Sequence, residues 1–150
     1  MRPERRRRRV AAALVLAGLA AGCGPARKPV YPVEGKVMYS NGQPATGALV
    51  VFQPVAPDDQ ANPLRPTATV NDDGSFQTTT YQPNDGAPEG DYNVTIVWLE
   101  KKSGDTLIGG GEHSALARDL LQGRYADPKA PRLTAHVQKG APNTFRFDVE

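Results

Sequence analysis

From Val33 onward apolar side chains recur at every second position, the spacing of a strand with one buried face. Val33, Gly35, Val37 and Tyr39 fall on one side, and Glu34, Lys36 and Met38 on the other. Ser40-Asn41-Gly42-Gln43 then reads as a tight turn, because Asn and Gly tolerate positive φ. Residues 48–53 hold Leu49, Val50, Val51 and Phe52 in succession and predict a second, more buried strand. A further pair of strands is expected over 67–70 and 75–80, joined by Asn71-Asp72-Asp73-Gly74 and anchored by Phe76. The strongest signal covers 91–99: Tyr92, Val94, Ile96 and Trp98 share a face, while Val97 and Leu99 make the other face partly apolar, as in a central strand. Leu133, Ala135 and Val137 alternate with Thr134, His136 and Gln138, and after Gly140-Ala141-Pro142-Asn143 come Phe145, Phe147 and Val149. Seven short strands with frequent Gly and Pro turns predict an all-β, antiparallel sandwich of seven to eight strands.

Two stretches between these strands are loops. Residues 54–66 contain Pro54, Pro57, Pro63 and Pro66, none of which can donate to a sheet ladder. Residues 81–90 are rich in Gly, Pro, Asn and Asp. Between Leu99 and Leu133 the strand pattern lapses. There Ser114 fits an N-cap, Leu116, Leu120 and Leu121 recur at helical spacing, and Gly123 fits a stop, which predicts one short helix with its leucines turned onto the sheet. The Gly-rich excursion over 104–113 beside it is the first expectation for a partner-contacting surface, with the 54–66 and 81–90 loops next in line.

The amino terminus has a different character. Arg5 to Arg9 precede an apolar run from Val10 to Ala21, and the run ends at Gly22-Cys23. A cationic head, a short apolar core and small residues at the break are the marks of a secretion signal over residues 1–22. The run is shorter than the roughly 20 apolar residues that a membrane-spanning helix needs. The serine before the arginine pair and the Phe-Leu after it that mark the twin-arginine route are absent, so general secretion is the expected path.

Removing that leader changes the charge. It holds six of the 18 basic residues and one of the 16 acidic ones, leaving 12 basic and 15 acidic, so the net charge moves from +2 to −3. The basicity belongs to targeting, and nothing in the mature chain suggests nucleic-acid binding. The remaining 128 of the 150 residues suffice for one domain, expected over residues 33–150. Residues 23–32 form a Pro-rich tether, in which Arg27 and Lys28 are within reach of anionic lipid head groups but read more simply as solvated.

Cys23 is the only cysteine, which excludes an internal disulfide and leaves a structural zinc site without its ligands. Ala20-Ala21-Gly22-Cys23 resembles the lipobox of bacterial lipoproteins. The resemblance implies cleavage before Cys23, a diacylglycerol on its thiol, and a domain held at the cell membrane or outer membrane, facing the periplasm or exterior.

The strand region carries a second resemblance. Glu34-Gly35-Lys36-Val37, Gly42-Gln43-Pro44-Ala45, Ala48-Leu49-Val50-Val51-Phe52, Asn71-Asp72-Asp73-Gly74-Ser75-Phe76 and Pro88-Glu89-Gly90-Asp91-Tyr92-Asn93-Val94 resemble, in order and spacing, the carboxypeptidase regulatory-like domains of the transthyretin-like superfamily. The whole chain, with Asp85-Gly86-Ala87-Pro88 and residues 121–128, is similar to small lipoproteins of planctomycete-type bacteria. The resemblance implies a prealbumin-like sandwich with one short helix and a mostly non-catalytic role.

Candidate chemistry gives no constellation. Asn71-Asp72-Asp73-Gly74 lacks the Glu that closes an EF-hand loop, since Thr80 stands at that place, and reads as a turn. Asp85, Glu89 and Asp91 could act as paired carboxylates or calcium ligands, but a solvated, proline-stiffened turn is the better reading. His113 and His136 are the only histidines, and no motif gives either a nucleophile or a metal. Ser40, Ser75, Ser103 and Ser114 lie in no Gly-x-Ser-x-Gly setting, and Gly109-Gly110-Gly111 lacks the Lys-Ser or Lys-Thr of a phosphate loop. Tyr92 and Trp98 suit a sugar-stacking platform if exposed, but their shared face favours the core. The expectation is therefore a non-catalytic, lipid-anchored envelope protein, without cofactor or metal, that binds or scaffolds an envelope protein or glycan. A carbohydrate- or peptide-binding accessory to an envelope enzyme is the alternative, and a small hydrolase is third.

Overall fold

The computed structural model describes residues 27–100 and 117–150. Seven strands appear where the alternation places them: β1 (Val33–Tyr39), β2 (Leu49–Pro54), β3 (Thr67–Thr69), β4 (Ser75–Gln77), β5 (Gly90–Val97), β6 (Leu133–Val137) and β7 (Asn143–Val149). They form a three-stranded sheet in the order β4-β1-β7 and a four-stranded sheet in the order β3-β2-β5-β6. The inner faces of the two sheets meet around Phe52, whose ring lies 5.7 Å from Tyr92 in its own sheet and 6.2–6.5 Å from Phe145, Phe76 and Phe147 in the other. Complete burial of a Phe side chain is worth about 1.5–3 kcal/mol, so this cluster supplies much of the force that holds the sheets together.

The expectation of a wholly antiparallel sandwich fails at one pair. β1 and β7 run parallel, in continuous register from Val33 opposite Asn143 to Tyr39 opposite Val149. A parallel neighbour requires a long crossover, and here the entire four-stranded sheet lies between the two strands in sequence. Alternation reports which face a residue occupies and is blind to strand direction. For the same reason the short turns join sheets rather than hairpin partners. β1 and β2 lie in different sheets on either side of Asn41-Gly42, and so do β3 and β4 on either side of residues 71–74, with an isolated bridge between Thr67 and Thr79 joining them at the end away from that turn. At the opposite corner the buried Asn143 side chain donates to the Pro32 and Gln138 carbonyls and accepts the Gln138 N–H at 2.8 Å, which locks β7 beside the entry to β1.

β1 lies against its neighbours because position 35 has no side chain. A Cβ there would fall 2.1 Å from the Phe145 carbonyl oxygen and 2.7 Å from the Phe76 ring. The glycine gives the ring its seat.

The expected helix is absent from the described residues. Residues 114–116 of that expectation, and the whole 104–113 excursion, lie outside them. From Leu120 to Ala126 the chain is a run of turns. Gln122 and Gly123 take positive φ (54° and 75°), which a right-handed helix cannot continue through. The segment instead lies beside the half of β5 that β6 leaves unpaired. Leu120 N–H donates to the Trp98 carbonyl, Ile96 N–H donates to the Tyr125 carbonyl, and the Asp119 carboxylate accepts the N–H groups of Trp98, Leu121 and Gly123 at 2.8–3.1 Å. Of the leucines expected to turn inward, Leu121 is buried and Leu120 half-buried, both on turns, and Tyr125 is buried beside them.

Candidate functional site: an acidic cleft beside the N-terminal arm

β2 ends at Pro54, and the proline-rich loop that follows is tied back to the sheet at both ends. Val55 N–H donates to the Asp91 carbonyl at 2.9 Å, and Phe52 N–H donates to the Pro66 carbonyl at 2.9 Å. Within the loop Asp59 Oδ1 accepts the N–H groups of Ala61 and Asn62, forming a tight turn. Between this loop and the start of β5 lies a cleft of about 310 Å³. Its wall is apolar, formed by Pro54, Pro57, Val55 and Leu64, with Val55 57% and Leu64 38% exposed. Its rim carries four carboxylates, Asp58, Asp59, Glu89 and Asp91.

The arm before β1 runs into this cleft. Arg27 stacks over the Tyr81 ring at 5.2 Å, Lys28 N–H donates to the Tyr81 hydroxyl at 3.2 Å, and the Lys28 ammonium pairs with Asp58. Tyr31 and Ala87 then exchange two backbone hydrogen bonds, at 2.8 and 2.9 Å. Gly86 makes this approach possible: at its φ of 99°, a Cβ would stand 1.8 Å from the Tyr31 carbonyl oxygen. Arg27 and Lys28 stay exposed to solvent, as expected of tether residues, and in addition touch the domain through Tyr81 and Asp58.

The acidic candidates separate. Glu89 and Asp91 reach the cleft, but Asp85 is consumed in building the 81–90 loop, where its carboxylate accepts the N–H groups of Thr80, Tyr81 and Gln82 at 2.7–2.9 Å. Desolvation pushes the Asp85 carboxyl upward, yet those backbone donors prevail and hold it below the usual carboxylate range. Asp73 is likewise held low, chiefly by the Ser75 hydroxyl and N–H it accepts. That geometry makes residues 71–74 a turn.

His136 lies on β6 across from Asp91, with its Nδ1 2.6 Å from the carboxylate. Sequence reasoning placed both residues but not their contact, which depends on the register of β5 against β6. The pair borders a second hollow of about 430 Å³ that shares Val55 and Asp91 with the cleft. Both side chains are more than half exposed, and among the described residues Asp91 is the hydrogen-bond partner found for the imidazole. A third hollow, on the three-stranded sheet, carries Glu34, Lys36 and Arg146 around a lining that includes Phe76 and Phe145. There Asp148 holds the Arg146 guanidinium at 3.0–3.2 Å.

Tyr92 is 3% exposed and donates its hydroxyl to the Pro88 carbonyl at 2.8 Å. Trp98 is half-buried one residue beyond the end of β5, against Tyr39 at 5.9 Å. Tyr92 offers no face for stacking, and Trp98 is partly covered by Tyr39. Among the described residues no group of three or more His, Cys, Asp or Glu is placed to hold a metal ion. Cys23, Ser103, His113 and Ser114 lie outside those residues.

Comparison with known proteins returned no matching family model, no matching curated protein and no matching solved structure.

Proposed function

We propose that this protein is a non-catalytic binding module of the bacterial cell envelope, anchored by a lipid on Cys23, with the acidic cleft as its ligand surface. The observation that carries the reading is the open apolar wall of Val55 and Leu64 beneath a rim of four carboxylates. Exposed apolar side chains gathered in a concavity with convergent polar groups are what a recognition site needs. The seven-stranded, two-sheet architecture is consistent with the transthyretin-like resemblance, which remains part of the proposal.

Of the two ligand classes expected, we take peptide over glycan. Tyr92 is buried and Trp98 is half-buried against Tyr39, which weighs against a stacking platform made by these two rings. A hydrolase would need a histidine beside a nucleophile, and among the described residues His136 turns its imidazole to Asp91 in the open. The lipid anchor also bounds where the cleft works. Lys28 lies five positions after Cys23, and an extended chain spans at most about 3.6 Å per residue, so the Lys28 backbone sits within about 18 Å of the attachment point. The ligand is met at the membrane surface.

A photoreactive amino acid placed at Leu64 in the full-length chain, expressed in cells, tests the site. Adducts to polypeptide are expected from Leu64, should weaken when Asp58 and Asp59 are both changed to Asn, and should not form from Thr144 on the far sheet. Equal adducts from Thr144, or adducts from Leu64 indifferent to the two carboxylates, would remove the cleft as the ligand surface.

A further inference from the structure

The arm of this chain already places one residue, Lys28, at the cleft, while Arg27 and Tyr31 hold to Tyr81 and Ala87 beside it. Lys28 precedes Pro29 and Tyr31 precedes Pro32, and residues before proline are driven to extended backbone, so the arm reaches the domain as an extended strip with little freedom to lose. Its backbone is docked through Tyr31 on Ala87, with Gly86 cleared of a side chain to admit it, and its one ammonium sits on Asp58. That single cation does not balance the rim. Asp59 and Glu89 have no cationic partner among the described residues, and Asp91 shares only the imidazole of His136.

Resting on the reading of the cleft as a ligand surface, we infer that its ligand is an extended, lysine-bearing peptide segment and that the chain's own Arg27-Lys28 pair is a built-in competitor for it. Charge complementarity sets the class: an ammonium reaches the carboxylates while its methylene stem lies along Val55 and Leu64, as lysine stems do on apolar surface. The Arg27 and Lys28 side chains are held by a cation–π contact and an exposed ion pair, both weak interactions that a better ligand displaces while the Tyr31–Ala87 hydrogen bonds keep the arm docked. The affinity of an incoming peptide is therefore set partly by what the arm gives up.

The test uses the full-length mature protein in detergent and a fluorescein-labelled hexapeptide of sequence Arg-Lys-Pro-Val-Tyr-Pro, read by fluorescence anisotropy. Arg27→Ala combined with Lys28→Ala leaves the Tyr31–Ala87 hydrogen bonds in place and should tighten probe binding about tenfold, the equivalent of ~1.4 kcal/mol of lost competition. Adding Asp58→Asn and Asp59→Asn should reverse the gain. A probe with norleucine for lysine should bind the opened cleft at least about tenfold more weakly, and raising salt should erase the difference between the two probes. Equal affinity of wild-type and arm variant for the lysine probe, or equal affinity of the opened cleft for both probes, would overturn the inference. Loss of the Leu64 adduct's dependence on Asp58 and Asp59 would instead overturn the ligand-surface reading beneath it.

Discussion

The indole N–H of Trp98 donates to the carbonyl of Thr46 at 2.9 Å, across 52 residues of sequence. That bond joins the end of the central strand to the corner between β1 and β2, where the chain passes from one sheet to the other. The rest of the ring is only half-buried, packed at an angle on Tyr39. Trp98 is a rim clamp on the sandwich and not part of its centre.

Trp98→Phe should retain most of the packing and lose the hydrogen bond, at a cost of about 1 kcal/mol. Trp98→Ala should cost about 2–3 kcal/mol, below the ~3–5 expected for a fully enclosed aromatic. Urea unfolding with unchanged m-values checks both. A Phe variant as damaging as the Ala variant would mean that the hydrogen bond outweighs the contact.

Gly35→Ala should be among the most damaging single-methyl additions in the domain. The new Cβ meets a backbone carbonyl and a core ring, so β1 must part from β7 or Phe76 must leave its seat. A loss of about 3 kcal/mol or more in chemical denaturation is expected, at the upper end of overpacking costs. Combining it with Phe76→Leu should recover part of the loss, because the smaller side chain vacates one of the two contacts.

Tyr92 gives the fold an alkaline limit. Burial, with a smaller contribution from the nearby Tyr81, pushes its hydroxyl up from 10.0 to about 12. The folded state holds this proton more tightly than the unfolded chain. Its contribution to stability is therefore complete below pH 10 and is lost as the pH rises through about 12. Tyr92→Phe should lower stability by about 1 kcal/mol at neutral pH, through loss of the bond to Pro88, and should flatten the decline between pH 10 and 12. Thermal midpoints measured across that range for both proteins provide the check.

If Cys23 carries the lipid, cells grown with labelled fatty acid will transfer label to the wild-type protein. Cys23→Ser should abolish the label and move the exported domain to the soluble fraction. A single acyl chain holds a protein at a membrane only marginally, so stable retention of the wild type would indicate more than one chain on the mature amino terminus. Unlabelled wild-type protein would end the lipoprotein reading, while leaving the cleft experiments untouched.

The strands were legible in the chain's own residues, because alternation is a local consequence of the pleat. Val33, Val37, Tyr92, Val94, Ile96, Val137, Phe147 and Val149 are all buried on the faces their spacing assigns, while in the apolar run of β2 only Val50 and Phe52 are buried and Leu49 is 45% exposed. The sequence also marked the proline-rich loop and the acidic residues at 89 and 91 that line the cleft. Strand direction, sheet membership and the pairing of Asp91 with His136 were decided only in three dimensions, since each depends on which strands become neighbours and local periodicity carries no such information. The leucines at 120 and 121 misled for a related reason. Helical spacing over a single turn is too short to outweigh the open edge of β5, whose N–H and C=O groups gained partners when the segment lay along them as turns. The cleft is tertiary in the same sense: Lys28, Asp58 and Tyr81 are far apart in sequence, and they meet because the Tyr31–Ala87 bridge folds the arm back over the loops.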